Sequence, residues 1–257
     1  MKILGIIPAR MAATRLPNKP MALIDGMPMI GHCYFRSKMC NLLDDVYVAT
    51  CDKEIYEYVV SLGGKAVMTS VLHERATERT AEALLILEKE APGTTYDIVV
   101  MIQGDEPLIN PLMINEVIQP LLDGKNVVSN LMTRLKNLTE AENPNFVKVV
   151  TAACGRALYM SREPIPSSAL HKKEIEYFRQ LGLIAFTREA ILSFVRLPTT
   201  RLEIIESVDM NRFLENQVSI QMSETDFEVY SVDTIEDLTI VVDKMKIDLL
   251  YPNYKIH

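Results

Sequence analysis

Three cations follow the first apolar segment of the chain at short intervals. Residues 3–7 read ILGII, and the next stretch, PARMAATRLPNKP, carries Arg10, Arg15 and Lys19 among three prolines. A guanidinium group donates paired hydrogen bonds to a phosphate, and an ammonium group adds a point charge. The stretch lacks the GxxxxGK[ST] pattern of a P-loop, so a phosphate site here would depend on side chains. The alternative is a solvated basic loop without a ligand.

Two acidic segments lie where predicted strands end. QGDEP (103–107) follows the apolar run YDIVVMI, and SVDTIEDL (231–238) precedes the final helix. Mg²⁺ prefers one or two carboxylates together with phosphate oxygens, so Asp105 and Asp233 are candidate metal ligands. Alternatively, Asp105 caps a turn. The corresponding alternative for Asp233 is a helix N-cap, with Glu236 at the third helical position.

Strands and helices alternate through the first half of the chain. We predict strands at ILGII, DDVYVAT, KAVMT and YDIVVMI, and helices at PMIGHCYFRSKM, KEIYEYVVSL and TERTAEALLILEKEA. Gly63-Gly64 should end the second helix, because the residue after a helix often needs a positive φ. This alternation indicates an α/β layer with right-handed crossovers. Ligands bind beyond the carboxyl ends of such strands, where the cationic and acidic segments lie.

The second half of the chain has a different pattern. Strands are predicted at VVSNLMTRL, FVKVVTA, RALYMS and LGLIAFT, helices at REAILSFVRL and RLEIIESVDMNRFLEN, and strands again at QVSIQM and FEVYSV. A last helix should run from about Thr234 to Leu250, before a loosely held tail, YPNYKIH. We therefore predict one α/β domain with a mostly parallel central sheet flanked by helices. Its core comprises about residues 1–125 and 190–250, and an inserted mixed-sheet lobe comprises about residues 126–189.

Composition excludes several classes of function. The net charge of −7 leaves no diffuse basic surface, so we expect neither nucleic acid nor a membrane as a partner. No segment approaches the ~20 apolar residues needed to span a bilayer. The four cysteines lack CxxC spacing, which is typical of free thiols in a reducing compartment and predicts a cytoplasmic protein.

Five segments together carry a resemblance to a known family. IIPARMAATRLPNKP, IQGDEPLI, NPNFVKVV, ALYMSREPIP and VDTIEDL resemble motifs of the 3-deoxy-manno-octulosonate (KDO) cytidylyltransferases, the CMP-KDO synthetases, in order and spacing. The opening motif is shared with several nucleotidyltransferases, whereas NPNFVKVV and ALYMSREPIP are more particular to this family. The resemblance covers essentially the whole chain. It implies a glycosyltransferase-A-like fold, a homodimer formed largely through the lobe, and Mg²⁺-dependent transfer of CMP from CTP to an acidic sugar.

The resemblance also implies roles for individual residues. The implied nucleotide-binding residues are Pro8, Ala9, Arg10, Arg15, Lys19, Arg79, Gln103 and Asp105. The implied metal ligands are Asp105 and Asp233, which form the catalytic group with Arg10 and Lys19. The implied acceptor-binding residues are Gln103, Arg162, Gln180, Glu206 and Asp209, to which Arg75 adds a cation.

The chain departs from the family pattern in segments expected on the acceptor side. HERATER stands in place of HxSGTER, so Arg75 replaces a small residue. QLGLIAF stands in place of HLGIYGY, so Gln180 replaces a histidine and Phe186 a tyrosine. RLEIIESVDMN carries Asp209 and Met210 where Glu-Gln is expected. A buried sugar hydroxyl left without a partner would cost ~1–3 kcal/mol.

These departures leave several interpretations open. The acceptor is a 3-deoxy-ulosonic acid such as KDO, or a related sugar acid. Alternatively, the same CTP chemistry acts on a small phosphonate or phosphorylated acid. Drift within the family, compensated by other residues, would explain the departures without a change of acceptor. A donor nucleotide other than CTP, or a non-catalytic nucleotide-binding homologue on the same fold, is also possible.

Overall fold

The computed structural model describes residues 1–12, 16–170 and 175–255. The chain forms two compact units, which we number in chain order: the first comprises Met1–Asn115 and Glu228–His257, and the second comprises Glu116–Phe227. Within the described residues, no helix has the length and apolar character needed to cross a membrane.

The first unit alternates strands and helices as its sequence predicts. Its strands are β1 (Ile3–Ala9), β2 (Leu23–Ile24), β3 (Met27–Pro28), β4 (Asp45–Thr50), β5 (Ala66–Met68) and β6 (Ile98–Met101). Its helices are α1 (Met29–Lys38), α2 (Lys53–Ser61), α3 (Ala76–Glu90) and, after the second unit, α9 (Ile235–Met245). Helix α4 (Pro111–Ile118) leads the chain into the second unit.

A parallel sheet forms the centre of the first unit. Its strand order is β6–β1–β4–β5, and every neighbouring pair is parallel. All seven residues of β1 and all four of β6 are buried, as expected for strands that helices cover on both faces. The carboxyl ends of β1, β4 and β6 therefore lie at one edge of this sheet.

Two glycines have distinct backbone roles in this unit. Gly63 follows α2 with φ of 69°, which confirms the predicted helix end. Gly104 follows β6 without a positive φ. A Cβ atom there would lie 3.0 Å from the Pro8 carbonyl oxygen, closer than nine in ten real Cβ contacts. Gly104 therefore lets the β6 loop approach the end of β1.

The end of the described chain is anchored to α1, so the prediction of a loose tail is wrong for these residues. Arg36 Nε donates to Tyr254 Oη over 3.0 Å, and this hydroxyl lies 3.1 Å from His32 Nδ1. His32 Nε2 lies 2.9 Å from the Ile24 carbonyl oxygen, which can only accept, so Nε2 carries a proton. Burial lowers the pKa of His32 below its ordinary value. Tyr251 is also buried.

The second unit is built on a mixed sheet. Its strands are β7 (Val128–Arg134), β8 (Lys148–Thr151), β9 (Ala157–Ser161), β10 (Phe178–Thr187) and β11 (Gln221–Glu224). Its helices are α5 (Leu138–Glu142), α6 (Arg188–Phe194), α7 (Arg201–Glu206) and α8 (Met210–Glu215). Strand β7 pairs in parallel with β11 and antiparallel with β10, while β8 pairs antiparallel with β10 and β9.

The compact units have different boundaries from the predicted core and lobe. Residues 190–227 belong to the second unit, because β11 pairs with β7 and brings the preceding helices with it. The functional division into a nucleotide-binding core and an inserted lobe stays a prediction.

Four predicted elements differ from the structure. The strand predicted at QVSIQM (217–222) forms only from Gln221, where β11 begins. FEVYSV (227–232) forms no strand. The helix predicted at RLEIIESVDMNRFLEN is interrupted, because Ser207 has a left-handed backbone with φ of 52°. The final helix ends at Met245 rather than near Leu250.

A buried lysine explains part of the motif NPNFVKVV. Lys148 is fully buried, and its Nζ donates to the carbonyl oxygens of Asn143 at 3.0 Å and Phe146 at 2.7 Å, and to that of Arg162. Burial lowers the pKa of Lys148. One ammonium group thus satisfies three backbone acceptors and holds the turn before β8 against the end of β9.

A buried ion pair joins α7 and α8. Arg212 donates from Nε and Nη2 to the two carboxylate oxygens of Glu203 over 2.7 and 2.6 Å. The side chains are only 4% and 0% exposed, respectively. The guanidinium carbon lies 4.0 Å from the ring centroid of Phe194. Removing one partner would leave the other charge buried and uncompensated.

We expect Glu203→Ala to lower the free energy of unfolding by about 3–5 kcal/mol, the usual cost of breaking a buried pair. Glu57→Ala is the matched control, because it breaks an exposed i,i+4 pair with Lys53 and should cost at most about 1 kcal/mol. Urea unfolding monitored by circular dichroism measures both values. A cost for Glu203→Ala no larger than that of the control would contradict this interpretation.

Candidate active site

A cavity of about 360 Å³ lies within the first unit, at the carboxyl ends of its strands. Nine of the predicted site residues line it: Pro8, Ala9, Arg10, Lys19, Arg75, Arg79, Gln103, Asp105 and Asp233. Arg15 lies outside the described residues. His73, Glu74 and Ala76 also line the cavity and are absent from the predicted site.

One ammonium group connects the cationic and acidic segments. Lys19 Nζ lies 2.6 Å from Asp105 Oδ2 and 3.1 Å from Asp233 Oδ1. The lysine side chain is 15% exposed, so these contacts are largely shielded from water. Burial by itself lowers the pKa of Lys19, but Asp105 and then Asp233 outweigh this effect, and the pKa lies above its ordinary value. The two aspartates therefore face a common cation position.

Asp233 reaches Lys19 because the next residue caps the helix. Thr234 is the N-cap of α9, with Asp237 at the third helical position. Asp237 Oδ2 accepts from the amides of Asp233 and Thr234 over 3.0 and 2.9 Å, and its own amide donates to Thr234 Oγ1 over 3.2 Å. The N-cap interpretation of Asp233, with Glu236 as partner, is wrong by one residue. The carboxylate of Asp233 is consequently available to Lys19.

One backbone and one side-chain hydrogen bond join the loops of the two aspartates. The Val232 amide donates to the Asp105 carbonyl oxygen over 2.9 Å. Ser231 Oγ donates to Glu106 Oε1 over 3.2 Å, and Glu106 is buried. Asp105 is therefore held by its backbone while its side chain pairs with Lys19, and the turn-cap alternative does not describe this carboxylate.

Arg79 lines the cavity, although most of its side chain is buried. It lies in the first turns of α3 and is 3% exposed. Its Nη1 donates to Thr69 Oγ1 and, over 3.2 Å, to the Ser70 carbonyl oxygen. Its Nη2 has no hydrogen-bond partner among the described residues. A buried donor without a partner is costly, so this nitrogen would donate to a ligand oxygen that came within its reach.

The loop before α3 is held by a residue that the sequence did not reveal. Glu82 Oε2 accepts from the Ser70 amide and lies next to His73 Nε2, both at 2.7 Å. Glu82 thereby fixes His73 at the cavity wall. Nothing in the local sequence pattern distinguishes Glu82 from the other charged residues of this helix, because its partners lie on the preceding loop.

Arg162 and Glu206 belong to the second unit and are bonded within it. Arg162 donates from Nε to the Glu206 carbonyl oxygen and from Nη1 to the Pro144 carbonyl oxygen, both over 2.7 Å. Glu206 Oε1 accepts from Tyr159 Oη at 2.7 Å and Ser161 Oγ at 2.9 Å, and Oε2 accepts from the Arg162 amide at 2.8 Å. Burial tends to raise the pKa of Glu206, but these donors outweigh it and lower the pKa. Both residues stabilise this unit, and their roles toward an acceptor stay predictions.

The other two predicted acceptor residues also lie in the second unit. Gln180 lies in β10, and its backbone amide donates to the Val147 carbonyl oxygen over 2.8 Å. Asp209 is the N-cap of α8. Their predicted contacts with an acceptor are untested by this arrangement.

Two departures from the family pattern affect packing. Phe186 and Met210 are 0% and 1% exposed and belong to the core of the second unit. The Phe186 ring lies 6.3 Å from that of Phe213, centroid to centroid. These side chains make apolar contacts, so the expectation that they leave sugar hydroxyls without partners is not supported. Arg75 differs, because it lines the cavity.

A family model and two known relatives match most of this chain. A family model described as "Cytidylyltransferase" matches residues 4–220. A 3-deoxy-manno-octulosonate cytidylyltransferase of Geotalea daltonii is 42% identical over 257 residues, covering 96% of this chain and 99% of the relative. The enzyme of the same name from Fusobacterium nucleatum is 41% identical over 247 residues, covering 96% and 98%.

Solved structures agree with these sequence similarities. A CMP:2-keto-3-deoxy-manno-octonic acid synthetase complexed with CTP has a TM-score of 0.88 and 33% identity, covering 97% of this chain and 100% of its own. A 4-diphosphocytidyl-2C-methyl-D-erythritol synthase from Anaerococcus prevotii has a TM-score of 0.62 at 12% identity and covers 95% and 98%, which shows a shared fold alone. The predicted α/β class with a mostly parallel sheet flanked by helices is confirmed.

Proposed function

The chain belongs to the 3-deoxy-manno-octulosonate cytidylyltransferase family, and we propose that it transfers CMP from CTP to KDO or a closely related sugar acid, releasing pyrophosphate. The observation that carries this proposal is the convergence of Lys19, Asp105 and Asp233 in a cavity that also gathers Arg10 and Arg79. A triphosphate requires such a concentration of cations in a protein whose net charge is negative.

In this proposal, different cationic residues bind different parts of the nucleotide. Arg10 and Lys19 bind the triphosphate, with Arg15 of the same segment as a further phosphate ligand. The unpartnered Nη2 of Arg79 donates to an oxygen of the nucleotide. Pro8, Ala9 and Gln103 complete the nucleotide contacts along the cavity wall.

We include Mg²⁺ as the cofactor, with Asp105 and Asp233 as its ligands. The fit rests on the two carboxylates that face one ammonium group from two loops. In the described part of the chain, no group of three or more His, Cys, Asp or Glu residues converges as a metal cage. Two carboxylates completed by phosphate oxygens and water suit Mg²⁺. When bound, Mg²⁺ would act as a Lewis acid that offsets charge on the phosphates.

The reaction is an in-line displacement at the α-phosphorus. An acceptor hydroxyl oxygen forms the new bond to phosphorus and its proton passes to water, while the bond to the bridging oxygen breaks and pyrophosphate leaves with that electron pair. Positioning and neutralisation of charge supply most of the catalysis in such transfers. Arg10, directly after β1, and Lys19, in a short helical turn, carry both tasks in this proposal.

Arg75 supports an alternative acceptor. It adds a cation to the cavity where the family pattern has a small residue. A small phosphonate or phosphorylated acid carries more negative charge than the carboxylate of a sugar acid, so it would use that cation more fully. The burial of Phe186 and Met210 removes two other arguments for a changed acceptor, so KDO is the first proposal.

Catalysis is preferred over simple nucleotide binding. A degenerate homologue could lose Asp105, Asp233 or Lys19 without losing its fold, yet the chain retains all three in one cluster.

We also propose that the protein is a homodimer and that it is located in the cytoplasm. Exposed apolar side chains of the second unit (Leu158, Ile204 and Ile205) would suit a subunit contact, and light scattering of the purified protein measures the subunit number.

Pyrophosphate release with CTP, UTP, GTP and ATP, each combined with KDO and a panel of acids, tests the proposed reaction. We expect CTP with KDO or a related ulosonic acid to give the highest kcat/KM. Preference for a phosphonate would favour the alternative acceptor, and Arg75→Ser should then abolish that preference. No release with any pair would contradict the enzymatic proposal.

Asp105→Asn should lower turnover at least about 100-fold, because it removes negative charge from the proposed metal site. The melting temperature should change by only a few degrees, since the Asp105 backbone contact with Val232 remains. Asp243→Asn, an exposed aspartate that pairs with Lys246, is the matched control and should retain full turnover. Unchanged turnover in Asp105→Asn would remove Asp105 from the metal role.

Lys19→Met should strengthen the binding of Mn²⁺, a spectroscopic substitute for Mg²⁺, roughly tenfold in the absence of nucleotide. The ammonium group occupies both carboxylates, so its removal eliminates a competing cation. The same variant should bind CTP more weakly. Mn²⁺ titration followed by electron paramagnetic resonance measures the change, with Lys246→Met as control. Equal Mn²⁺ affinity in the variant and the unmodified protein would exclude competition at this site.

A further inference from the structure

The loops that follow β1 and β4 run side by side. The two strands pair in parallel, and Ala9 lies opposite Thr50 at the last step of the register. The chain continues from Ala9 into Arg10, Met11 and Ala12, and the neighbouring loop leads from Thr50 directly into α2. Contacts between these loops can therefore set the position of Arg10.

Asp52 makes such a contact. Its Oδ2 accepts a hydrogen bond from the Met11 amide over 2.8 Å, across 41 residues of sequence. Arg10 and Ala12, on either side of Met11, both line the cavity, whereas Met11 itself does not. The anchored amide thus lies at the centre of the cavity-lining turn.

The orientation of Asp52 is set by its own neighbours. Its amide donates to Thr50 Oγ1 over 3.1 Å, and Thr50 is fully buried in the sheet. Cys51 Sγ lies 3.6 Å from the same carboxylate oxygen and donates a weak hydrogen bond to it. The carboxylate is therefore held in place before any ligand binds.

Asp52 lies at the start of α2, where the side chain of an aspartate usually caps the helix. It is the N-cap of α2, and an aspartate there normally accepts from an amide in the first turn of its helix. Its side chain makes no such bond. The helix forgoes its side-chain cap, and the carboxylate oxygen binds the Met11 amide instead.

We propose that Asp52 is a positioning residue, which holds the Met11 turn so that Arg10 is presented to the triphosphate. The inference rests on the proposed function, because it assigns the ligand of Arg10. This role requires a side-chain oxygen as far from the backbone as that of an aspartate, but it does not require a negative charge. An asparagine at this position should therefore preserve the function, and a shorter side chain should not.

Two variants separate this role from helix capping. Asp52→Asn keeps an oxygen within reach of the Met11 amide. Asp52→Ser supplies a good N-cap for α2 but is one bond too short to reach Met11. We expect Asp52→Ser to raise the KM for CTP at least about tenfold, since displacements of about 1 Å can cost 100-fold. Asp52→Asn should stay within about threefold of the unmodified protein.

Stability and acceptor kinetics supply the control readouts. Asp52→Ser should keep its melting temperature and its KM for KDO, because neither α2 nor the acceptor contacts are lost. Thr187→Ala removes the side-chain cap of α6 in the second unit, where Thr187 Oγ1 accepts from the Ala190 amide. This control should lower the melting temperature and leave the KM for CTP unchanged.

The outcomes distinguish the two proposals. An inactive unmodified protein would contradict the proposed function, and faster amide exchange of Met11 in Asp52→Ser would still report the anchor. An active protein in which Asp52→Ser leaves the KM for CTP unchanged would overturn the positioning role. Equal impairment of Asp52→Asn and Asp52→Ser would also overturn it, because the bond to Met11 would then not be the cause.

Discussion

The candidate site depends on one ammonium group shared by two carboxylates. Lys19 lies 86 residues from Asp105 and 214 residues from Asp233 in the chain, yet its Nζ is within hydrogen-bond distance of both. Like charges this close to each other need a cation between them, and Lys19 supplies it from a short helical turn. The bridge ties three segments to the edge of the sheet where a polyanion could meet them.

The role of several acidic side chains near this edge is set by the group that each one contacts. Asp237, at the third position of α9, accepts from the backbone amide of Asp233, and the Asp233 carboxylate pairs with Lys19. Asp52 begins a helix without capping it, because its oxygen binds an amide on the adjacent loop. Glu82 similarly reaches back to the loop before its own helix. Reactive groups on loops thus gain fixed positions from the sheet and helices beneath them.

In the second unit, residues that family resemblance associates with an acceptor also have structural partners. Arg162 and Glu206 bond to each other and to backbone groups, next to the three carbonyl oxygens that Lys148 satisfies. Phe186 packs against Phe213 in the core. A change at these positions would therefore affect the packing of the unit as well as any contact with an acceptor.

Residue patterns alone predicted the alternating elements of the first unit and the apolar run that forms β6, and the motifs indicated the family. These features are local: periodicity reports burial, Gly63 reports the end of a helix, and the motifs keep their order and spacing. The cationic segment and both aspartates were also predicted as site residues, because their residue types are typical of phosphate and metal sites.

The tertiary structure shows that the hydroxyl of Thr234 caps α9 and that the carboxylate of Asp233, one residue earlier, pairs with Lys19. It also decided that Phe186 is core, that residues 190–227 pack with the second unit, and that Asp52 holds Met11. The physical reason is the same in each case. These contacts join groups far apart in the chain, and a contact of that kind leaves no periodicity or motif in the residues around it.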